Sequence, residues 1–374
     1  MSATPLHLSR RTLLAALPAA LTVRAADAGQ LVYFGTYSRG ASKGIYVARF
    51  DAGTGKLSLP QLAAEAANPS FLTLHPDGKF LYSVGEAGKG IVTAYSRDAS
   101  TGLLKAINSV ESQGSSPCHL VVDATKRNLL VVNYGDGVSS VFPIKADGGL
   151  GEASSVVKHA GTGPNARRQT GPHAHSVNLS KNNKWAVVAD LGTDEYIVYA
   201  LDAKNGKITR HSAAKVKGGS GPRHFSFHPS YQYAFGVNEM GSSVTAFRWS
   251  EDQGKLEEVT TVSTLPKDFA GENNCAEVLV HPNGRFVYAS NRGHNSLAIF
   301  EANMPQGSLK VVDYASTLGK TPRNFRIHSS GKWLLAANQD SSNVVVFKLD
   351  PATGKITPTG QTVDIGFPVC IRFA

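Results

Sequence analysis

Seven times along the chain a short glycine-bearing turn returns, at intervals of about 50 residues, the spacing of a structural repeat rather than of chance. "GTGKL" (53–57), "STGLL" (100–104), "KNGKI" (204–208) and "ATGKI" (352–356) are the plainest copies; "GGLGE" (148–152), "QGKLE" (253–257) and "QGSLK" (306–310) are looser ones. Strand-like runs such as "GIYVARF", "GIVTAYS", "SLAIFEA" and "NVVVFKL" precede these turns. Their apolar residues alternate by two, which excludes helices and predicts that each turn closes an antiparallel hairpin.

A second pattern is offset from the first. It reads strand, Pro/Gly turn, strand in "LTLHPDGKFLYSVGE" (72–86), "FSFHPSYQYAFGVNE" (225–239), "VLVHPNGRFVYASNR" (278–292) and "FRIHSSGKWLLAANQ" (325–339), with weaker copies at 120–134 and 177–191. Together the patterns make four short strands per unit. Such a sheet cannot bury both faces alone, so the units stack on one another, and the prediction is all-β, a seven-bladed β-propeller. The 37 glycines and 18 prolines agree with many short elements and tight turns. Residues 31–67 lack an opening strand, while "FPVCIRFA" (367–374) is an opening strand with nothing after it. The C-terminal strand is therefore expected to join the N-terminal blade and close the ring, removing its open edge. A pair of β-sandwiches is the competing architecture.

The first 28 residues read as an export signal and are set apart from a propeller domain at 29–374. "SRRTLL" (9–14) places paired arginines before the apolar run "TLLAALPAALTV", and Ala26-Asp27-Ala28 offers a small-residue cleavage site. The twin-arginine form implies a periplasmic or secreted protein. The apolar run is too short for a stable membrane span, and no later one approaches the ~20 residues required. The formal charge of +10 is dispersed, without a basic block or basic helix, which argues against nucleic acid and for small anionic ligands. Cys118, Cys275 and Cys370 are odd in number and sit in apolar strands, so buried thiols are expected rather than disulfides.

Aligning the repeats shows where sameness fails. One column, in the opening strands, reads Ser70, Cys118, His175, Arg223, Ala276, Arg323 and Val369; a second, after the next strand, reads Thr36, Glu86, Tyr134, Leu191, Glu239, Arg292 and Gln339. Opening strands line the channel, so the charged members are expected to meet at one mouth of it. An insertion, "GPNARRQTGPHAHS" (163–176), contains Arg167, Arg168, His173 and His175 and is long enough to form a lip there. His173 and His175 would share a strand face and could hold a metal, but no third ligand sits at a companion spacing, and neither metal nor cofactor is expected. His75, His228, His281 and His328 recur beside the turns, where a structural role is expected.

In order, "GPHAHSV", "GPRHFSFHP", "VNE" and "VYASNRGHNSLAIF" resemble the lactonase family of seven-bladed propellers, which includes propeller-type 6-phosphogluconolactonases and carboxy-cis,cis-muconate cyclases. The resemblance implies a catalytic set of His175, Arg223, Glu239 and Arg292. His173, His224, Arg323 and Glu86 are expected to bind substrate. The expected activity is hydrolysis of a sugar lactone, 6-phosphogluconolactonase-like, with arginines holding an anion and either Glu239 or His175 as general base. Cys275 stands where the pattern has Pro. A muconate-type lactonising cycloisomerase and a non-catalytic extracytoplasmic binding propeller remain open. The expected partner is a small anionic lactone or sugar acid, and the expected state a monomer.

Overall fold

The computed structural model describes residues 1–2, 29–87, 89–303 and 306–374; the rest of the expected export signal, 3–28, lies outside these. The described residues contain 29 strands and no helix, arranged as seven antiparallel sheets. The innermost strands are Leu72–Leu74, Pro117–Val122, Ala174–Leu179, Pro222–Phe227, Cys275–Val280, Pro322–Ile327 and Pro368–Phe373. The last of these pairs with Gln30–Thr36, setting Val32 opposite Phe373 and Phe34 opposite Ile371, so the ring closes as expected between the two ends of the chain.

Each blade supplies two apolar faces, and the core lies between blades. Val187, Ala189, Tyr196 and Val198 pack against Phe225, Ala234, Phe247 and Trp249 of the next blade. Val32, Phe34, Ala48 and Phe50 meet Leu335, Ala337, Val344 and Val346 across the closure. The repeated turns are part of the same seam. All seven turn glycines have left-handed backbone, from φ 58° at Gly254 to 83° at Gly148, a conformation costly for a residue with a Cβ. Space is the second constraint, because a Cβ on Gly55 would lie 2.3 Å from the Trp333 ring of the preceding blade. Buried tyrosines bind these turns: Tyr33, Tyr82 and Tyr288 donate to the carbonyls of Gly102, Gly148 and Gly354 at 2.8, 3.0 and 2.7 Å. The recurring histidines do the same work elsewhere. His75, His228 and His281 reach Lys126, Gly284 and Gly331 carbonyls at 3.1, 2.9 and 2.9 Å, and His328 reaches Gln30 at 2.8 Å.

One feature that repetition does not reveal positions the site. In six innermost strands the register slips by an extra residue: Pro222 opposes Asn238 and His224 opposes Val237, leaving Arg223 unpaired. The same slip leaves out Cys118, His175, Arg323 and Val369, and in the strand Cys275–Val280 it spans Ala276 and Glu277. Six of the seven members of the first alignment column, all but Ser70, thus sit at a slip. A β-bulge re-aims a side chain, so the chain can present an arginine to the lumen without altering the apolar side of the strand. All three cysteines are buried and free.

Candidate active site at the channel mouth

The two columns meet at one end of the channel. His175, Arg223 and Arg323 come from bulges; Glu86, Tyr134, Glu239 and Arg292 come from positions immediately after second strands. A shared backbone bond holds the second group in place, the amide donating to the preceding inner segment. Glu239 donates to Gly221 at 2.7 Å, Arg292 to Asn274 at 2.9 Å, Tyr134 to Ser116 at 2.9 Å and Glu86 to Asn68 at 3.0 Å. The resulting mouth encloses about 290 Å³, and Glu86, Arg168, His175, Glu239, Arg292 and Arg323 face into it.

Glu239 is the electrostatic centre. Its Oε2 accepts from Arg223 Nε at 2.9 Å and pairs with Arg292 Nη2 at 2.8 Å, while Oε1 accepts from Arg168 Nη2 at 2.7 Å. Burial alone would push its pKa up, but the charges of Arg292, Arg223 and Arg168 outweigh that and hold it at about 2. Glu239 is therefore ionised at neutral pH. A carboxylate gripped by three guanidiniums is a poor proton acceptor, so Glu239 organises charge.

His175 is the opposite case. It is 5% exposed, and burial, then the charges of Arg223, His224 and Arg323, push its pKa well below the ordinary imidazole value, leaving it neutral at pH 7. Its Nδ1 lies 3.7 Å from Cys118 Sγ, and Nε2 makes no hydrogen bond among the described residues. Arg323 also stands apart. Its guanidinium makes no hydrogen bond or ion pair among the described residues and lies 5.4 Å over the Tyr37 ring. Although burial lowers its pKa, the Tyr37 and Glu86 groups raise it further, so the cation is secure.

The other expected residues are distributed as follows. Arg223 lies at the floor of the mouth, lining a constriction with Ser70, Cys118 and Val369, and also donates to the Ala276 carbonyl at 2.7 Å. Its partner is Glu239, and Glu86 accepts instead from Tyr37 at 3.0 Å. His173 donates to the Tyr134 carbonyl at 2.7 Å and stacks on that ring at 4.6 Å, whereas His175 meets the same ring edge-on at 5.3 Å. His224 lies outside the mouth cavity: it lines the constriction and the space beyond it, bonded to Glu277 at 2.8 Å. Cys275 keeps the register of the missing proline and uses its N–H, donating to the Glu239 carbonyl at 3.0 Å; its own carbonyl accepts from Arg292 at 2.9 Å.

Sequence reasoning leaves Arg168, Tyr37 and Asn274 out of the site. Arg168 belongs to the insertion that forms the expected lip, and no other blade has a counterpart against which to judge it. Tyr37 and Asn274 adjoin alignment columns without belonging to them.

A family model described as lactonase, 7-bladed beta-propeller, matches residues 31–373. The chain belongs to this lactonase family. Among lactonase-family relatives, a Bacillus subtilis protein named 6-phosphogluconolactonase is 37% identical over 342 residues, covering 91% of this chain and 97% of that one. A solved structure of a Pseudomonas aeruginosa periplasmic gluconolactonase superposes with a TM-score of 0.87 at 32% identity, covering 92% of this chain and 99% of that one. A Lactobacillus plantarum protein matches with a TM-score of 0.87 at 31% identity, covering 92% and 99%. Lactonase-family membership therefore rests on the entire ring.

Proposed function

We infer that the protein is a lactone hydrolase, and that the mouth around Glu239 is where it acts. The observation that carries the assignment of the site is the convergence of a neutral histidine with an open Nε2 and an unengaged guanidinium beside a carboxylate held by three arginines. Relatives named 6-phosphogluconolactonase and gluconolactonase support hydrolysis over cyclisation or passive binding.

In the reaction we propose, His175 Nε2 takes a proton from water as the water oxygen bonds to the lactone carbonyl carbon. The carbonyl oxygen gains negative charge, which Arg292 stabilises from the mouth while Arg223 reinforces it from its floor. The ring C–O bond then breaks, the imidazolium returns its proton to the departing alkoxide, and the product is a hydroxy acid. Unneutralised arginines make His175 a weak base. An anionic substrate offsets their field, so binding itself raises the basicity of the imidazole. This favours a sugar lactone bearing an anionic group, with Arg323 as its anchor. The paired arginines at 10 and 11 and the periplasmic relative support an exported enzyme, and ring closure supports a monomer.

The test is hydrolysis of a lactone panel, 6-phosphogluconolactone and glucono-δ-lactone included, against the spontaneous rate. Replacing His175 by Ala is expected to lower kcat by about 10²-fold or more, and Arg323→Ala to raise KM chiefly for the phosphorylated lactone. Full activity in H175A, or equal KM values in R323A and the parent for both lactones, would overturn these roles.

A further inference from the structure

Below the mouth the channel narrows to about 10 Å³, room for about one water, and then widens into a second chamber of about 350 Å³. Its wall is a ring of residues three positions beyond the first alignment column, among them Thr73, Asn178, Ser226, Arg326 and Arg372. The chamber opens toward the face opposite the mouth, because all seven innermost strands run the same way along the axis.

Its charges do not balance internally. Glu277 is the chamber's carboxylate, and it is already engaged: Oε1 accepts from His224 Nδ1 at 2.8 Å and Oε2 from Asn324 Nδ2 at 2.5 Å. Arg326 makes no hydrogen bond or ion pair among the described residues. Arg372 donates from Nη1 only to the adjacent Ile371 carbonyl at 2.7 Å and rests 4.3 Å over the Phe71 ring. Two guanidinium forks on neighbouring innermost strands thus face the same lumen with most of their donors unused. Burial and the surrounding cations also keep His119 neutral, so it adds no compensating or competing charge. Both arginines are partly buried, and neighbouring, partly buried cations without partners are unfavourable unless a counter-charge arrives.

We propose that this chamber is a second ligand site, which holds a small oxyanion, carboxylate or phosphate, between Arg326 and Arg372, with Thr73, Asn178 and Ser226 meeting its hydroxyl or oxygen groups. Guanidinium forks match such oxyanions in paired hydrogen bonds. The constriction prevents exchange with the mouth, so the site fills from the opposite face and is independent of turnover. It stands whether or not the lactonase assignment of the mouth does.

Calorimetric titration of the full chain with inorganic phosphate and, separately, with gluconate tests this. The parent and R292A, which alters only the mouth, are expected to share one site of equal Kd, and the R326Q/R372Q double variant to lose it, by about tenfold or more per arginine removed. Tighter binding of one probe identifies the anion class. The double variant should keep its melting temperature and any lactone turnover; should it fail to fold, R326K and R372K preserve charge while removing the fork, and weaker binding with normal melting is then expected. Survival in R326Q/R372Q of the site common to the parent and R292A, with its Kd unchanged, loss of that site in R292A, or no binding of either probe to the parent overturns the proposal.

Discussion

In the proposed site Glu239 holds three arginines in place rather than moving protons. It is 5% exposed beside Arg223 at 2%, and removing its charge would strand buried guanidiniums. Glu239→Gln is therefore expected to destabilise the fold by about 3–5 kcal/mol, the scale for breaking a buried ion pair from one side. The pH dependence follows in sign. The carboxyl sits at about 2 when folded against an ordinary 4.5, so the folded state binds fewer protons than the unfolded one between those values. Its contribution is complete above pH 4.5 and is lost as pH falls toward 2. Urea midpoints measured from pH 7 to 3 should drop for the parent through this window, and E239Q should lack that share of the drop. Parallel curves would show that Glu239 is not held in this way.

At the level of elements, the bulge and the turn solve different problems with the same extra residue. A bulge frees one position per blade for function, since its side chain leaves the alternation that the core requires. That is why Arg223 can follow Pro222 at the start of a buried strand: Pro222 takes the paired position and Arg223 the unpaired one. The turns, by contrast, are committed to stability. Gly55→Ala puts a methyl group into left-handed backbone at φ 76° and against Trp333. A loss of about 1–3 kcal/mol is expected in chemical unfolding, with kcat unchanged, because Trp333 opens the strand Trp333–Asn338 at the end opposite Gln339 of the mouth column and does not line the mouth cavity. A melting curve indistinguishable from the parent's would mean that the seam between blades yields more easily than its packing implies.

For the molecule as a whole, closure is the decisive event. The strand Pro368–Phe373 buries Val369, Cys370 and Ile371 to 3% exposure or less, and places Val369 at the constriction and Arg372 in the second chamber. Deleting 368–374 removes about 1.5–3 kcal/mol for each large apolar side chain and exposes the edge of Gln30–Thr36. The truncated chain is expected to melt lower, to self-associate in size-exclusion chromatography and to lose turnover. A monomer with parental melting would show that the ring holds without its clasp.

Repetition made the fold legible before any coordinates. The seven turns, the alternation by two and the orphan strand at 367–374 are local patterns, and local patterns survive in one dimension. The same comparison set apart the charged members of two columns, Arg223, Arg323, Glu86, Glu239 and Arg292, because packing does not ask for charge there; the set of His175, Arg223, Glu239 and Arg292 came from the resemblance to the family. What only the tertiary structure decided depends on distances between segments far apart in the chain. Arg168 joins the mouth because an insertion folds back over it. Glu239 is ionised because three arginines from three separate stretches outweigh its burial. Arg326 and Arg372 face one chamber because ring closure makes the last strand the neighbour of the seventh blade, and a pairwise electrostatic energy has no value until that separation is set.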